Sequence, residues 1–169
     1  MASHACSRRS TRTLGVVPVH WAMDKNRYLI ELSESPKTDY GKRDFAEQSH
    51  EQRVFSAIWE LESLVNNGGF QGYFGNGAET AKFAPTALLA VGAQQCAAIV
   101  EEALGLVPAS LPTEHDACWK AMHSLPKPVV AQFKSLDDRF FAYPDNLTEL
   151  LFAFVAAHPD AFGTTPTDK

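Results

Sequence analysis

The sequence predicts an all-α protein: a single globular domain of five or six helices behind a poorly ordered N-terminal leader. Three observations predict it. Residues 44–162 contain no sustained apolar/polar alternation, the mark of a half-buried strand. Apolar residues in that span recur instead at helical spacing. Glycine and proline cut the span into helix-length pieces with short connections. A chain of 169 residues at 45% hydrophobic has enough apolar material for one well-buried core and is short for two. The expected organisation is leader and linker over 1–43, partly disordered, a helical domain over 44–163, and a disordered tail over 164–169.

The elements follow in order. Ser7-Arg8-Arg9-Ser10-Thr11-Arg12 is basic and polar, but only the short Leu14-Gly15-Val16-Val17 follows it. A signal peptide or twin-arginine signal needs a longer apolar segment, so this reads as a disordered leader, with Met23 an alternative start. Tyr28-Leu29-Ile30-Glu31-Leu32 fits either a short strand or the first turns of a helix, and Ser33 to Asp39 reads as a linker. Val54, Ile58, Leu61 and Val65 fall at i, i+4, i+7 and i+11, with Phe55 beside them, which is one face of a helix. Asn66-Asn67-Gly68-Gly69 then supplies a stop, because a left-handed residue commonly closes a helix. Phe70, Tyr73 and Phe74 follow at once and are an odd set to leave in water, so the turn should fold back onto the core.

A second long helix should begin near Pro85, a residue suited to a first helical turn, and end at Gly105 and Pro108. Leu88, Leu89, Val91, Cys96, Ile99, Val100, Ala103 and Leu104 give it a wide apolar face, with Gly92 and Ala93 admitting a close neighbour. Thr113-Glu114-His115-Asp116 reads as the cap of a shorter helix to about His123. Pro126 and Pro128 break the chain before a helix over Val129 to Phe141. Pro144-Asp145-Asn146 caps another through Ala157, His158-Pro159 closes it, and Ala161-Phe162 packs as a final turn.

Charge and composition exclude several function classes. The longest apolar run, Leu150 to Ala157, is far below the roughly 18 residues of a membrane span. Cys6, Cys96 and Cys118 are odd in number and lack metal-site spacing, so the reduced cytoplasm is the expected location. Between Asp44 and Trp119 ten acids face only Arg53 and Lys82, which argues against direct nucleic-acid binding through a phosphate-neutralising patch. A basic protein partner fits that balance, and so do solvated helix faces.

Asn66-Asn67-Gly68-Gly69-Phe70, followed by Tyr73-Phe74 and Asn76, resembles the signature of a bacterial domain-of-unknown-function family named after a neisserial DNA-mimic protein. Val91-Gly92-Ala93 is similar to that family's Ile-Gly-Ala, and Leu136-Asp137-Asp138-Arg139-Phe140, with Leu147, Leu150-Leu151, Phe154-Val155 and Phe162, resembles its C-terminal pattern. The resemblance covers roughly 45–162. It implies an all-helical fold and, in the namesake, an acidic dimer that occupies the DNA-binding surface of a transcription factor. This chain departs from the pattern at Gly72, where the family commonly has Gln, and at Leu64, where an acid is often found.

Two functional readings follow. In the first, a non-enzymatic regulatory protein binds a protein partner, such as a basic DNA-binding protein, through Glu47, Glu51, Glu60, Glu62, Glu79, Glu101 and Glu102. Duplex DNA carries about one charge per 1.7 Å of axis. Glu47 and Glu51, one turn apart, give one per roughly 6 Å. Several acidic helix ends or a symmetric homodimer are therefore required. In the second reading a helical domain binds a small molecule or catalyses a reaction at the turn, which requires Asn67, Gln71, Tyr73 and Asn76 to converge. No catalytic motif accompanies that turn: there is no HExxH, GxSxG or phosphate loop, and the adjacent Glu101 and Glu102 point in different directions on a helix. His115, Cys118 and His123 read as ordinary side chains before they read as metal ligands, and His158 as a helix-end cation. No cofactor or metal is expected, and the turn reads first as a structural latch between two long helices.

Overall fold

The structure, a computed structural model, describes residues 24–34, 43–76 and 80–163. The basic leader at 1–22, most of the linker, Glu79 and the tail at 164–169 lie outside the described residues. The elements are α1 (Lys25–Glu34), a single 3-10 turn (Phe45–Glu47), α2 (His50–Gly75), α3 (Ala84–Ala90), α4 (Gln94–Leu104), α5 (His115–His123), α6 (Lys127–Phe141), α7 (Leu147–Ala157) and α8 (Pro159–Phe162). No strand occurs among the described residues, and the all-α reading holds. Eight α-helices exceed the expected five or six for two reasons. Tyr28 to Leu32 takes the helical alternative, and the long helix expected from Pro85 to Leu104 is two helices.

That second difference has a local cause. Gly92 adopts φ 85°, and around it Ala93 N–H donates to the Leu88 carbonyl and Gly92 N–H to the Leu89 carbonyl. This paired closure of a helix end requires a left-handed residue after the last helical one, which glycine supplies without steric cost. A Cβ at Gly92 would meet nothing within 4 Å, so the residue serves backbone conformation and not, as its sequence position suggested, close approach of a neighbour.

α2 is the hub, packed against α3, α5, α6, α7 and α8, while α4 bridges α3 and α6. Its start is fixed by a reciprocal cap: the Ser49 hydroxyl accepts from Gln52 N–H, and the Gln52 side chain accepts from Ser49 N–H. Gln52 also donates to the Ala161 carbonyl at 2.6 Å, which ties α8 to the same turn. Val54, Phe55, Ile58, Leu61 and Val65 are all buried, as their spacing predicts.

α1 docks on α7. Leu29 and Leu32 are buried, the Tyr28 ring meets Phe152 edge-on at 5.5 Å, and Lys25 pairs with Glu149. Leu29 belongs to the same apolar cluster as α2 and α7, so α1 is part of the packed body. Leu29→Ala should therefore lower unfolding free energy by about 2–4 kcal/mol in chemical denaturation. A loss below about 0.5 kcal/mol would show that α1 contributes no core.

Candidate functional site

The Asn66–Gly69 stretch does not end α2. Only Gly69 leaves helical geometry, at φ 62° and ψ −175°, and helix resumes through Gly75. That backbone region is essentially restricted to glycine. The expected stop between two long helices is thus a one-residue break within one helix. Its cause lies elsewhere in the chain. A restarted helix presents unsatisfied N–H donors, and Asp137 Oδ1 on α6 accepts from Phe70 N–H at 2.7 Å. The contact leaves no room for a side chain: a Cβ on Gly69 would lie 2.5 Å from Asp137 Oδ2, whereas one on Gly68 would meet nothing within 4 Å.

The restart aims three aromatic rings inward. Phe70, Tyr73 and Phe74 are buried, as expected of a turn folded onto the core. Phe70 meets Phe140 of α6 edge-on at 5.6 Å and stacks towards Phe74 at 6.2 Å, and Phe74 contacts Phe133 at 6.1 Å. The two sequence patterns that stood apart, Asn-Gly-Gly-Phe and Leu-Asp-Asp-Arg-Phe, are therefore two sides of one contact. Burying a phenylalanine side chain contributes about 1.5–3 kcal/mol, so this cluster outweighs the single hydrogen bond that orients it.

The polar residues of the signature bond separately. Asn67 donates to the Ser63 carbonyl at 2.8 Å, Gln71 to the Met122 carbonyl at 2.6 Å, and Asn76 to the Gly72 carbonyl at 2.8 Å. The Asn66 amide oxygen faces the Tyr143 hydroxyl at 3.5 Å. Tyr73 reaches Thr80 at 3.4 Å, and the Thr80 hydroxyl donates to Glu60 at 2.6 Å. Burial holds the Tyr73 phenol above its ordinary value, so it stays neutral. The convergence of Asn67, Gln71, Tyr73 and Asn76 that a ligand site at the turn requires is not present.

Sequence reasoning quoted Asp137 within a pattern and gave it no role. A signal was available: Phe133, Leu136 and Phe140 define the buried stripe of α6, and Asp137 falls on that stripe. A carboxylate there needs a partner. Burial raises its pKa, the Phe70 N–H lowers it, and Asp138 raises it further. Asp145 repeats the arrangement. It was expected to cap α7, but Asn146 does that by accepting from Glu149 N–H, and Asp145 instead accepts from Cys96 N–H at 2.8 Å at the start of α4. Burial pushes the Cys96 thiol up to about 12, which keeps it protonated and unreactive.

The nominated acids do not form one surface. Glu47 is exposed on the 3-10 turn, and Glu51 is half-buried in the first turn of α2, its pKa lowered by its own backbone N–H and by Ser49. Glu60 is occupied by Thr80, and Glu62 is half-buried with its pKa raised by burial. Glu101 is exposed at the end of α4, while Glu102 takes a two-point ion pair from Arg139 at 2.6 and 3.0 Å. Asp160, not nominated, shares a groove of about 410 Å³ with Ser49, Glu51 and His158.

The three residues weighed as metal ligands turn to different partners. His115 faces Asp116 and Asn76, the Cys118 thiol donates to the Phe74 carbonyl at 3.2 Å, and His123 stacks on Trp119 at 4.0 Å. Among the described residues no group of three or more His, Cys, Asp or Glu is placed to hold a metal ion. His158 lies at the end of α7, against the Phe154 carbonyl at 2.7 Å.

Two predictions follow from the break in α2. Gly69→Ala should cost about 2 kcal/mol or more, from backbone strain and the Asp137 clash, whereas Gly68→Ala should be neutral or stabilise by up to about 1 kcal/mol. Denaturant titration of the pair checks this, and equal effects would contradict it. Asp137→Ala should cost about 1–3 kcal/mol by orphaning the Phe70 donor, while Asp137→Asn keeps an acceptor. Because the folded pKa of Asp137 is raised above 3.8, its charge penalises the fold as pH climbs from 3.8 through that raised value. The stability of Asp137→Asn relative to the natural chain should therefore rise over that window, and a relative fall would refute the assignment.

Comparison with known proteins completes the description. No curated protein and no solved structure matches the chain significantly. Among the described residues no helix is long and apolar enough to cross a membrane. Residues 46–158, which hold both halves of the Gly69–Asp137 contact, match the family of DMP19-like proteins, the family of the neisserial DNA mimic. The chain belongs to the DMP19-like family.

Proposed function

We propose that this protein is a non-enzymatic regulator that binds a basic protein partner, such as a DNA-binding protein, through the acidic end of the bundle where α2 begins. The observation that carries this reading is the groove lined by Glu51 and Asp160, with Ser49 and His158 and with neither Lys nor Arg in its lining. Glu47 stands exposed on the preceding turn. Glu51 holds its charge because backbone and Ser49 donors lower its pKa. Glu101 extends the acidic set at a separate helix end, whereas Glu60, Glu62 and Glu102 are engaged inside the chain and contribute little open charge.

The family of the chain is of the DNA-mimic kind, which supports recognition of a protein surface shaped to receive nucleic acid. One acidic end is too sparse to reproduce the charge density of a duplex. A homodimer that brings two such ends to one face belongs to this proposal. The internal bonding of the Asn/Gly/aromatic turn favours a structural latch over a ligand site at that turn.

The test is affinity capture from native lysate with the natural chain and with Glu47→Lys/Glu51→Lys/Asp160→Lys. A basic, DNA-binding protein should be retained at low salt, released at moderate salt, and bound about tenfold or more weakly by the reversed variant. The captured protein should lose its operator in the presence of the natural chain only. Retention that is unchanged by salt or by the triple reversal would sink the proposal.

A further inference from the structure

We propose that the cleft bounded by the end of α2, the entry to α3 and the α4–α5 connection binds a small amphipathic anion: an apolar chain carrying a carboxylate. The cleft encloses about 580 Å³, within the roughly 300–1,000 Å³ typical of small-molecule sites. Phe74, Leu104, Val107, Leu111 and Cys118 make its wall apolar. The Cys118 thiol already donates to the Phe74 carbonyl, so the floor offers an occupant no free hydrogen-bonding group there. Pro108 and Pro112 restrict the backbone of the connecting loop, and Leu111 N–H donates to the Pro108 carbonyl at 3.1 Å. The wall is thus preformed, which lowers the ordering cost of binding.

Charge selects the occupant. Lys82 is the one charged side chain in the lining, it is exposed, and it makes no ion pair among the described residues. From Asp44 to Trp119 the only other base is Arg53, against ten acids. An unpaired cation at the mouth of an apolar cleft on an acidic protein is a local exception. It rewards an anionic head and repels a cationic one, while the apolar wall rewards the chain attached to it. The site is separate from the acidic end of α2 and holds or fails independently of the proposal above.

Calorimetric titration of the full chain with hexanoate, octanoate and decanoate, all kept below micelle-forming concentrations, tests this. One site per chain should saturate, with affinity rising about fourfold per buried methylene until the cleft is full. Decanol should bind up to about fivefold more weakly than decanoate, and decyltrimethylammonium more weakly still. Lys82→Gln, at an exposed position, should bring decanoate down to the affinity of decanol and leave decanol unchanged. Val107→Trp should abolish binding by filling the cleft. Leu111→Glu should weaken decanoate more than decanol, and it serves if Val107→Trp fails to fold. Absence of saturable decanoate binding, equal decanoate affinity in the natural chain and Lys82→Gln, or full binding by Leu111→Glu would each overturn the assignment.

Discussion

The carboxylate of Asp137 at the broken turn of α2 is the contact around which the rest of the domain is arranged. A helix that must change direction without ending has to satisfy the donors of its second segment, and residue 69 has no side chain to do so. The acceptor comes from α6, and its closeness excludes a Cβ at that position. The glycine, the acid and the rings of Phe70 and Phe140 therefore specify one another. Ala93 before α4 is equally unable to cap, and there Asp145 supplies the acceptor. Two helix starts in the core are thus completed by acids from α6 and the loop that follows it.

This use of carboxylates changes what the net charge of −5 means. Asp137 and Asp145 are bonded to backbone donors, and Glu114 caps α5 with both oxygens. Glu60 accepts from Thr80 and Glu102 is matched by Arg139. These acids hold helices in place, and their charges are spent on local donors. The acidic residues that stay open cluster at helix ends, Glu47 and Glu51 before and within the first turn of α2 and Glu101 at the close of α4. A count over the sequence overstates the surface available to a partner, and Asp160 shows that it also overlooks part of it.

The fold class and most helix boundaries were legible in the sequence because apolar spacing and proline are local signals. The face of Val54, Ile58, Leu61 and Val65, Pro85 in the first turn of α3, and Glu114 at the start of α5 all act within a few residues of where they stand. The misread elements turn on glycine. At Gly69 and Gly92 the sequence shows only that unusual dihedrals are permitted; whether the chain stops, bends or restarts is decided by a distant acceptor or by a carbonyl left free. The role of Asp137 was half legible, since its place on the buried stripe of α6 demanded a partner but could not name a backbone N–H 67 residues earlier. The cleft beside Lys82 had no local signature, because five separate segments build its wall.

The distance along the chain between Phe70 and Asp137 also bears on the order in which the domain is assembled. During synthesis the first segment of α2 can form as soon as Ser49 and Gln52 are present, since its cap is local. The second segment lacks its acceptor until α6 has been made, and closing that long loop carries an entropic cost that local helix formation does not. The hub of the fold is therefore finished from both ends of the chain, and premature termination anywhere before residue 137 leaves three large aromatic side chains on an uncapped turn with nothing to cover Phe70.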